Sequence, residues 1–388
     1  MHEVQSRPSE DTRVGLMAIA ATLMAIGVVL VFSTYAARGP ASPDPPSAGR
    51  IGAFAKQVTF AVCGFAAMVG LAAVHYRFWR RPWVVLSLMT LSLGLLMLVM
   101  APGFSQSRQG ARRWLSVAGM VSFQPSELAK LAAVVFLSWW ATRGRRGAAT
   151  LRRLATGFLP AAAVLGLVIG LIGLEDFGTA ALLSLVVGCM LLVGGSRIWH
   201  LLLAALPAAA ALGYLLVSRP YRLERLRAFG DIWSDPRGSG YHVIQSLCAI
   251  ASGGWWGKGL GLGVQKYGYL PAAHNDFIFA IICEELGGVG GLAVIGLFAA
   301  LLVLGARTMR RAADDFGRML AFGLTLLIAL QAAMNIAVVT GLAPAKGIGL
   351  PLVSAGGSGV LFMAAAVGLL ASIARRAGAF PASDSPPA

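Results

Sequence analysis

Charge is what this chain of 388 residues has least of: only 12% of it is Asp, Glu, Lys or Arg, about half the share of an ordinary soluble domain. Acid is scarcer still, with 16 Asp and Glu against 32 Lys and Arg. Four cysteines, Cys63, Cys189, Cys248 and Cys283, give no disulfide framework, and three of them fall inside apolar runs. With only five histidines, no Cys/His metal spacing occurs. No phosphate-binding glycine loop, GxSxG elbow, HExxH helix or short-period repeat is present either. These absences exclude a soluble globular enzyme, a zinc hydrolase and a nucleotide-driven pump.

What the chain has in excess is apolar sequence, 57% of it. Runs of about 20 residues, enough to cross a bilayer, recur near 15–35, 52–75, 83–101, 125–141, 156–174, 178–195, 199–217, 277–304, 318–340 and 357–374. They are continuous rather than alternating, which predicts helices and not a barrel. The expected fold is an all-α integral membrane protein of ten spans at 15–376, with polar tails at 1–14 and 377–388. The first run is longer than a cleavable signal core, so it is expected to stay as a span.

The net charge of +16 would suit nucleic acid, but its placement does not. Arg77, Arg80, Arg81, then Arg143, Arg145, Arg146, Arg152, Arg153, later Arg197, Arg307, Arg310, Arg311, Arg318, Arg375 and Arg376 fall on alternate loops. That is the positive-inside pattern, which puts both termini in the cytoplasm and implies no nucleic-acid partner. The outer loops are basic too, with Arg108, Arg112 and Arg113 in one, and Arg219, Arg222, Arg225, Arg227, Arg237, Lys258 and Lys266 in another. Either lipid headgroups or an anionic ligand would explain this excess.

Three outer loops stand out. The first, 102–124, carries Gly110-Ala-Arg-Arg-Trp114. The second, about 218–276, is long and aromatic, and its 241–251 stretch reads as an amphipathic helix. The third, 341–359, holds six glycines and two prolines, so irregular backbone must there be buried in protein or line a wet cavity.

Ionisable groups at a membrane mark candidate sites. Glu127 and Lys130 open one span at a spacing that puts both on one helix face, as an ion pair or as the lining of a polar cavity. His274, Asn275 and Asp276 stand before another span, whose apolar run carries Glu284 and Glu285. Asp276 suits a helix cap as well as a general base. Asp176 lies at an outer turn, and Gln331 with Asn335 shares a face that interhelical bonding would explain. One carboxylate among cations and interfacial aromatics fits glycosyl transfer from a lipid-linked pyrophosphate. Hydrolysis of a glycoside ordinarily asks for two.

Several motifs resemble the SEDS family (shape, elongation, division and sporulation). They are Gly110-Ala-Arg-Arg-Trp114 with Gln124-Pro-Ser-Glu-Leu-Ala-Lys130, Gly240-Tyr-His-Val-Ile-Gln-Ser246, and Pro271-Ala-Ala-His-Asn-Asp-Phe-Ile-Phe279 with Glu284-Glu-Leu-Gly287. Pro344-Ala-Lys-Gly-Ile-Gly-Leu-Pro-Leu-Val-Ser354 with Gly356-Gly-Ser358 completes the set. Gly263-Val-Gln-Lys266, the Ala-His pair at 273–274 and Ala345-Lys346-Gly347 lean to the division-type (FtsW) branch over the elongation-type (RodA) branch.

The resemblance implies a ten-helix glycosyltransferase that polymerises lipid II on the outer face of the bacterial inner membrane, at the septum. It implies a class B penicillin-binding transpeptidase and other division proteins as partners, with membrane lipids around it. It makes Asp276 the catalytic residue, Glu127 and Lys130 the polar pair of a central cavity, and Arg113 the basic position before Trp114. Arg222, Arg225, Lys266, His274, Lys346, Ser354 and Ser358 are expected to join them at the substrate. A divalent cation, Mg or Mn, is an expected aid, and its ligands are unknown. Competing expectations are a lipid II flippase and a non-catalytic division scaffold.

The chain departs from the family pattern in having Asn275 for Thr, Ala355 for Tyr, and Leu174-Glu-Asp-Phe-Gly-Thr179 for Gln-Pro-Asp-Leu-Gly-Thr. Asn275 is expected to orient Asp276 through its side chain.

Overall fold

The structure is a computed structural model, describing residues 2–36, 47–101, 105–108, 111–117, 121–144, 149–217, 229–233, 235–238, 240–271, 273–344 and 346–376. It is built mainly of helices: α1 His2–Ala36, α2 Ser47–Ala73, α3 Pro82–Met100, α4 Pro125–Thr142, the short α5 Ala149–Arg152, α6 Leu159–Glu175, α7 Phe177–Val193 and α8 Ile198–Val217. They continue with α9 Tyr241–Gly253, α10 Ile278–Arg311, α11 Asp315–Val339 and α12 Ser358–Arg375. A long helix stands at each of the ten predicted runs. Seven of these, among the described residues, are long and apolar enough by themselves to cross a bilayer. The chain is therefore a multi-pass membrane protein. Helices α7 and α8 are apolar but shorter in their apolar extent. Helix α4 is wrapped by its neighbours, with almost every residue from Pro125 to Ser138 buried, so it is shielded from lipid by protein.

Three features go beyond the sequence reading. The polar residues before 15 are helical, because α1 begins at His2. The 102–124 loop, expected to be more than a plain connector, has regular structure. It forms a small antiparallel sheet, β1 Ser105–Arg108, β2 Ala111–Val117 and β3 Val121–Phe123, in the order β1-β2-β3. The third concerns α10, a single run in the sequence, which is broken at Gly287 (φ 72°, ψ −174°). Only glycine takes that conformation without strain, and a Cβ there would sit 2.3 Å from the Trp255 carbonyl oxygen.

The loop that follows α9 fills the gap at this break. Lys258 N donates to Glu284 O (3.0 Å), Gly259 N to Glu285 O (3.0 Å), and Gly288 N to Gly254 O (2.8 Å). The piece after the break, 288–311, is about 36 Å long at 1.5 Å per residue, enough for a membrane span alone. Residues 278–285, ahead of it, are buried in protein.

That placement explains the two adjacent glutamates. Glu284 pairs with Lys258 (2.8 Å) and accepts from the Val264 amide (2.8 Å). Glu285 pairs with Lys266 (2.6 Å) and accepts from Ser33 Oγ (2.8 Å) and the Gly261 amide (3.0 Å). Both side chains are fully shielded, and each has the cation and extra donors that a buried carboxylate requires. Helix α9 is tied to the end of α11, with Ser246 Oγ donating to Val339 O at 2.6 Å.

Candidate active site

The site forms where the starts of α4, α7, α10 and α12 come together around the segment 341–357. Strand β2 presents Arg113 and Trp114 on opposite faces, by the alternation of any strand. Arg113 Nε donates to the Glu175 carbonyl (2.9 Å), and its Nη1 lies 3.5 Å from Asp176 Oδ2. Asp176 is in turn fixed as the cap of α7, accepting from Thr179 N (3.1 Å) and Thr179 Oγ1 (2.9 Å). Trp114 is half-buried, opposite Gln106 on β1.

The cap position of α10 falls on Phe277, one residue after Asp276. A Cβ built on Gly347 would lie 3.3 Å from Arg113 Nη1 and 3.4 Å from Asp276 Oδ2, so both groups line the small space that this glycine leaves open. Lys346, next to it, sits with its ammonium 5.7 Å from the centre of the Phe177 ring. Burial pulls the Lys346 pKa below the ordinary lysine value, and the negative charge of Asp176 offsets part of that.

Below this group lies the predicted ion pair. Lys130 Nζ is 2.9 Å from Glu127 Oε1 and donates to Gln331 Oε1 at 2.6 Å, with its side chain 1% exposed. Glu127 leans on the first turn of α12, since a Cβ on Gly359 would be 3.7 Å from its Oε2. The partial positive charge of that helix end favours a carboxylate there. Ser358 Oγ accepts from the Gln124 amide (3.1 Å), tying the starts of α4 and α12 together.

Other expected residues hold the loops. Ser354 Oγ donates to Asn275 O (2.6 Å) and accepts from Leu350 N (2.7 Å), and the His274 ring lies 5.3 Å from that of Tyr35. Ala355 contributes its amide, which donates to His274 O (2.9 Å). Asn275 does not act as expected, because its Oδ1 is buried with no hydrogen-bond partner. The carbonyls around it are held instead. Lys266 stands apart from this group, its ammonium engaged by Glu285 and Ser33 (2.6 and 2.7 Å). Arg222 and Arg225 fall outside the described residues.

Gln331 and Asn335 belong to the site, whereas their spacing fitted bonds between helices as well as contact with a substrate. Gln331 Nε2 donates to Gly349 O (3.1 Å), and Asn335 Nδ2 to the carbonyls of both Asp276 and Ile348 (2.7 Å each). Two amides four residues apart, facing a glycine-rich loop, were the available clue.

Among the described residues no group of three or more His, Cys, Asp and Glu is placed to hold a metal ion. Both oxygens of Asp176 are already engaged by Thr179, one of them also by Arg113. These residues do not form a metal cage by themselves.

Residues 13–378 match the Cell cycle protein family of FtsW, RodA and SpoVE. The chain belongs to this family. It is 40% identical over 359 residues to a probable peptidoglycan glycosyltransferase FtsW of Nitrosococcus halophilus, covering 92% of this chain and 90% of that one. Stage V sporulation protein E of Bacillus subtilis is 39% identical over 362 residues, covering 93% and 96%. In solved structures, a chain from a peptidoglycan synthase complex that coordinates polymerisation and crosslinking superposes with a TM-score of 0.71 at 29% identity, covering 94% of this chain and 97% of that one. These family members share the SEDS architecture expected from the motifs.

Proposed function

We propose that this chain is a peptidoglycan glycosyltransferase. It polymerises lipid II at the outer face of the bacterial cytoplasmic membrane during division, alongside a class B penicillin-binding transpeptidase. The observation that carries the reading is the Asp276 carboxylate and the Arg113 guanidinium converging on the space beside Gly347. A lone base next to fixed cations is what transfer from a pyrophosphate donor needs.

In this mechanism Asp276 accepts the proton of the acceptor sugar's hydroxyl as its oxygen bonds to the donor's anomeric carbon. The bond from that carbon to the pyrophosphate oxygen breaks, and the leaving group takes the electron pair. The positive charges of Arg113 and Lys346 offset the negative charge that develops on it. A single displacement inverts the anomeric centre. Trp114 and His274 flank the sugars, and the Glu127–Lys130 pair supports the loop above it. Any divalent cation would draw most of its ligands from substrate oxygens.

The test is labelled lipid II given to the purified chain with its partner. Asp276→Ala should yield no glycan polymer while partner binding persists. Polymer at the wild-type rate from Asp276→Ala overturns the assignment. Movement of lipid II between liposome leaflets without polymer would favour a transporter instead.

A further inference from the structure

The base-bearing turn 274–276 is held through its backbone carbonyls. Its three successive carbonyls are each taken by a different donor, two from the turn at 354–355 and one from α11. Ala355 N holds His274 O (2.9 Å), Ser354 Oγ holds Asn275 O (2.6 Å), and Asn335 Nδ2 holds Asp276 O (2.7 Å). Peptide units are planar, so fixing the carbonyls on both sides of a residue fixes its φ and ψ. The direction of its Cα–Cβ bond follows. The direction in which the Asp276 side chain leaves the backbone is thus set by Ser354 on one side and Asn335 on the other.

Asn335 is the more exacting of the two. It is 1% exposed, and its amide nitrogen bridges Asp276 O and Ile348 O at 2.7 Å each. Two carbonyl neighbours leave no choice of amide orientation, because the opposite flip would set oxygen against oxygen. The residual Oδ1 is buried without a partner, so the whole bonding of this side chain goes into joining the turn at 276 to the segment at 348.

One helical turn along α11, Gln331 does the same for Gly349 O (3.1 Å), and its other end is clamped by Lys130, itself paired with Glu127. We propose that Asn335 is the positioning residue for the base at 276, and that the Glu127–Lys130–Gln331 chain holds the 348–349 segment to which Asn335 ties it. This rests on the reading of Asp276 as the base. Lys130 then acts through protein, not through contact with substrate.

A displacement of about 1 Å at a reacting group can cost on the order of 100-fold in rate. In the lipid II assay, Asn335→Ala should lower kcat by about 10- to 100-fold with KM changed less than about twofold. The acid limb of its kcat–pH profile should move relative to wild type, as the Asp276 surroundings change. Thermal stability and partner binding are read on the same preparation. Ser354→Ala, which removes only the neighbouring grip, should show a smaller loss of the same kind, and it carries the test if Asn335→Ala does not fold.

Wild-type kcat in a folded Asn335→Ala, or in Ser354→Ala if that is the variant that folds, overturns the proposal. So does a loss confined to KM. Asp276→Ala run in parallel separates the two ideas. Polymer from it overturns the base and its positioning together. No polymer from it, with wild-type kcat in Asn335→Ala, overturns the positioning alone.

Discussion

Lys346 holds its proton less firmly than an ordinary lysine, because burial disfavours the ammonium more than Asp176 supports it. If its charge helps to neutralise departing pyrophosphate, activity should fall as pH rises toward the ordinary lysine value of 10.5, ahead of what a free lysine would give. An arginine keeps its charge throughout that range. Lys346→Arg should therefore retain more activity on the alkaline side of a kcat/KM–pH profile, and an unmoved alkaline limb would remove Lys346 from the charge balance. At this scale the sequence was informative about residue types but not about their bonding. Asp276, Glu127 and Lys130 could be chosen because charge is costly near lipid, and Arg113 through the motif that it shares with the family. The carbonyl contact of Asn335 could not, since its spacing with Gln331 marks a shared face but not a backbone carbonyl 59 positions away.

Among elements, α10 shows how a charged apolar run is resolved. Two glutamates in a span looked like groups held deep in the bilayer. The break at Gly287 instead leaves them in a protein-lined layer before the span, closed by Lys258, Lys266 and the amides of 261–265. Helix periodicity cannot reveal such a break, because the run stays apolar on both sides of it. Glycine at 287 was the visible trace, and its positive φ is the reason for it.

The Lys266–Glu285 pair is then a matter of stability. Both side chains are at most 1% exposed, and removing one charge strands the other. Lys266→Met should destabilise the folded protein by about 3–5 kcal/mol, and the double variant Lys266→Met with Glu285→Leu by clearly less. Thermal unfolding in detergent reads both. Equal losses in the single and double variants would mean that the pair is not the source, and the expected contact of Lys266 with substrate would regain its claim.

For the molecule as a whole, the alternating arginines and the contacts agree on two ends. Tyr35 with His274, Arg113 with Asp176, and Gln124 with Ser358 meet at one. Arg77 with Asp314, Arg376 with Val74, and Trp140 with Gly157 meet at the other. Each pair joins segments that the charge pattern assigned to the same side of the membrane. Hydrophobic runs and arginine bias thus made the order of spans legible, because both obey the bilayer's own physics. The sheet at 105–123 and the filled break at 287 were not legible, because pairing between distant segments makes them.

The same agreement supports a test of orientation. If the site end is extracytoplasmic, a cysteine at Trp256, whose side chain is 85% exposed, should react with a membrane-impermeant thiol reagent on intact spheroplasts. A cysteine at exposed Arg80 should react only after the membrane is opened. Both belong in a background with Cys63, Cys189, Cys248 and Cys283 replaced, since Cys63 and Cys248 are exposed. The reverse pattern would put Asp276 on the cytoplasmic side, away from any acceptor strand outside, and would end the reading of this chain as an outer-face polymerase whatever its rate in detergent.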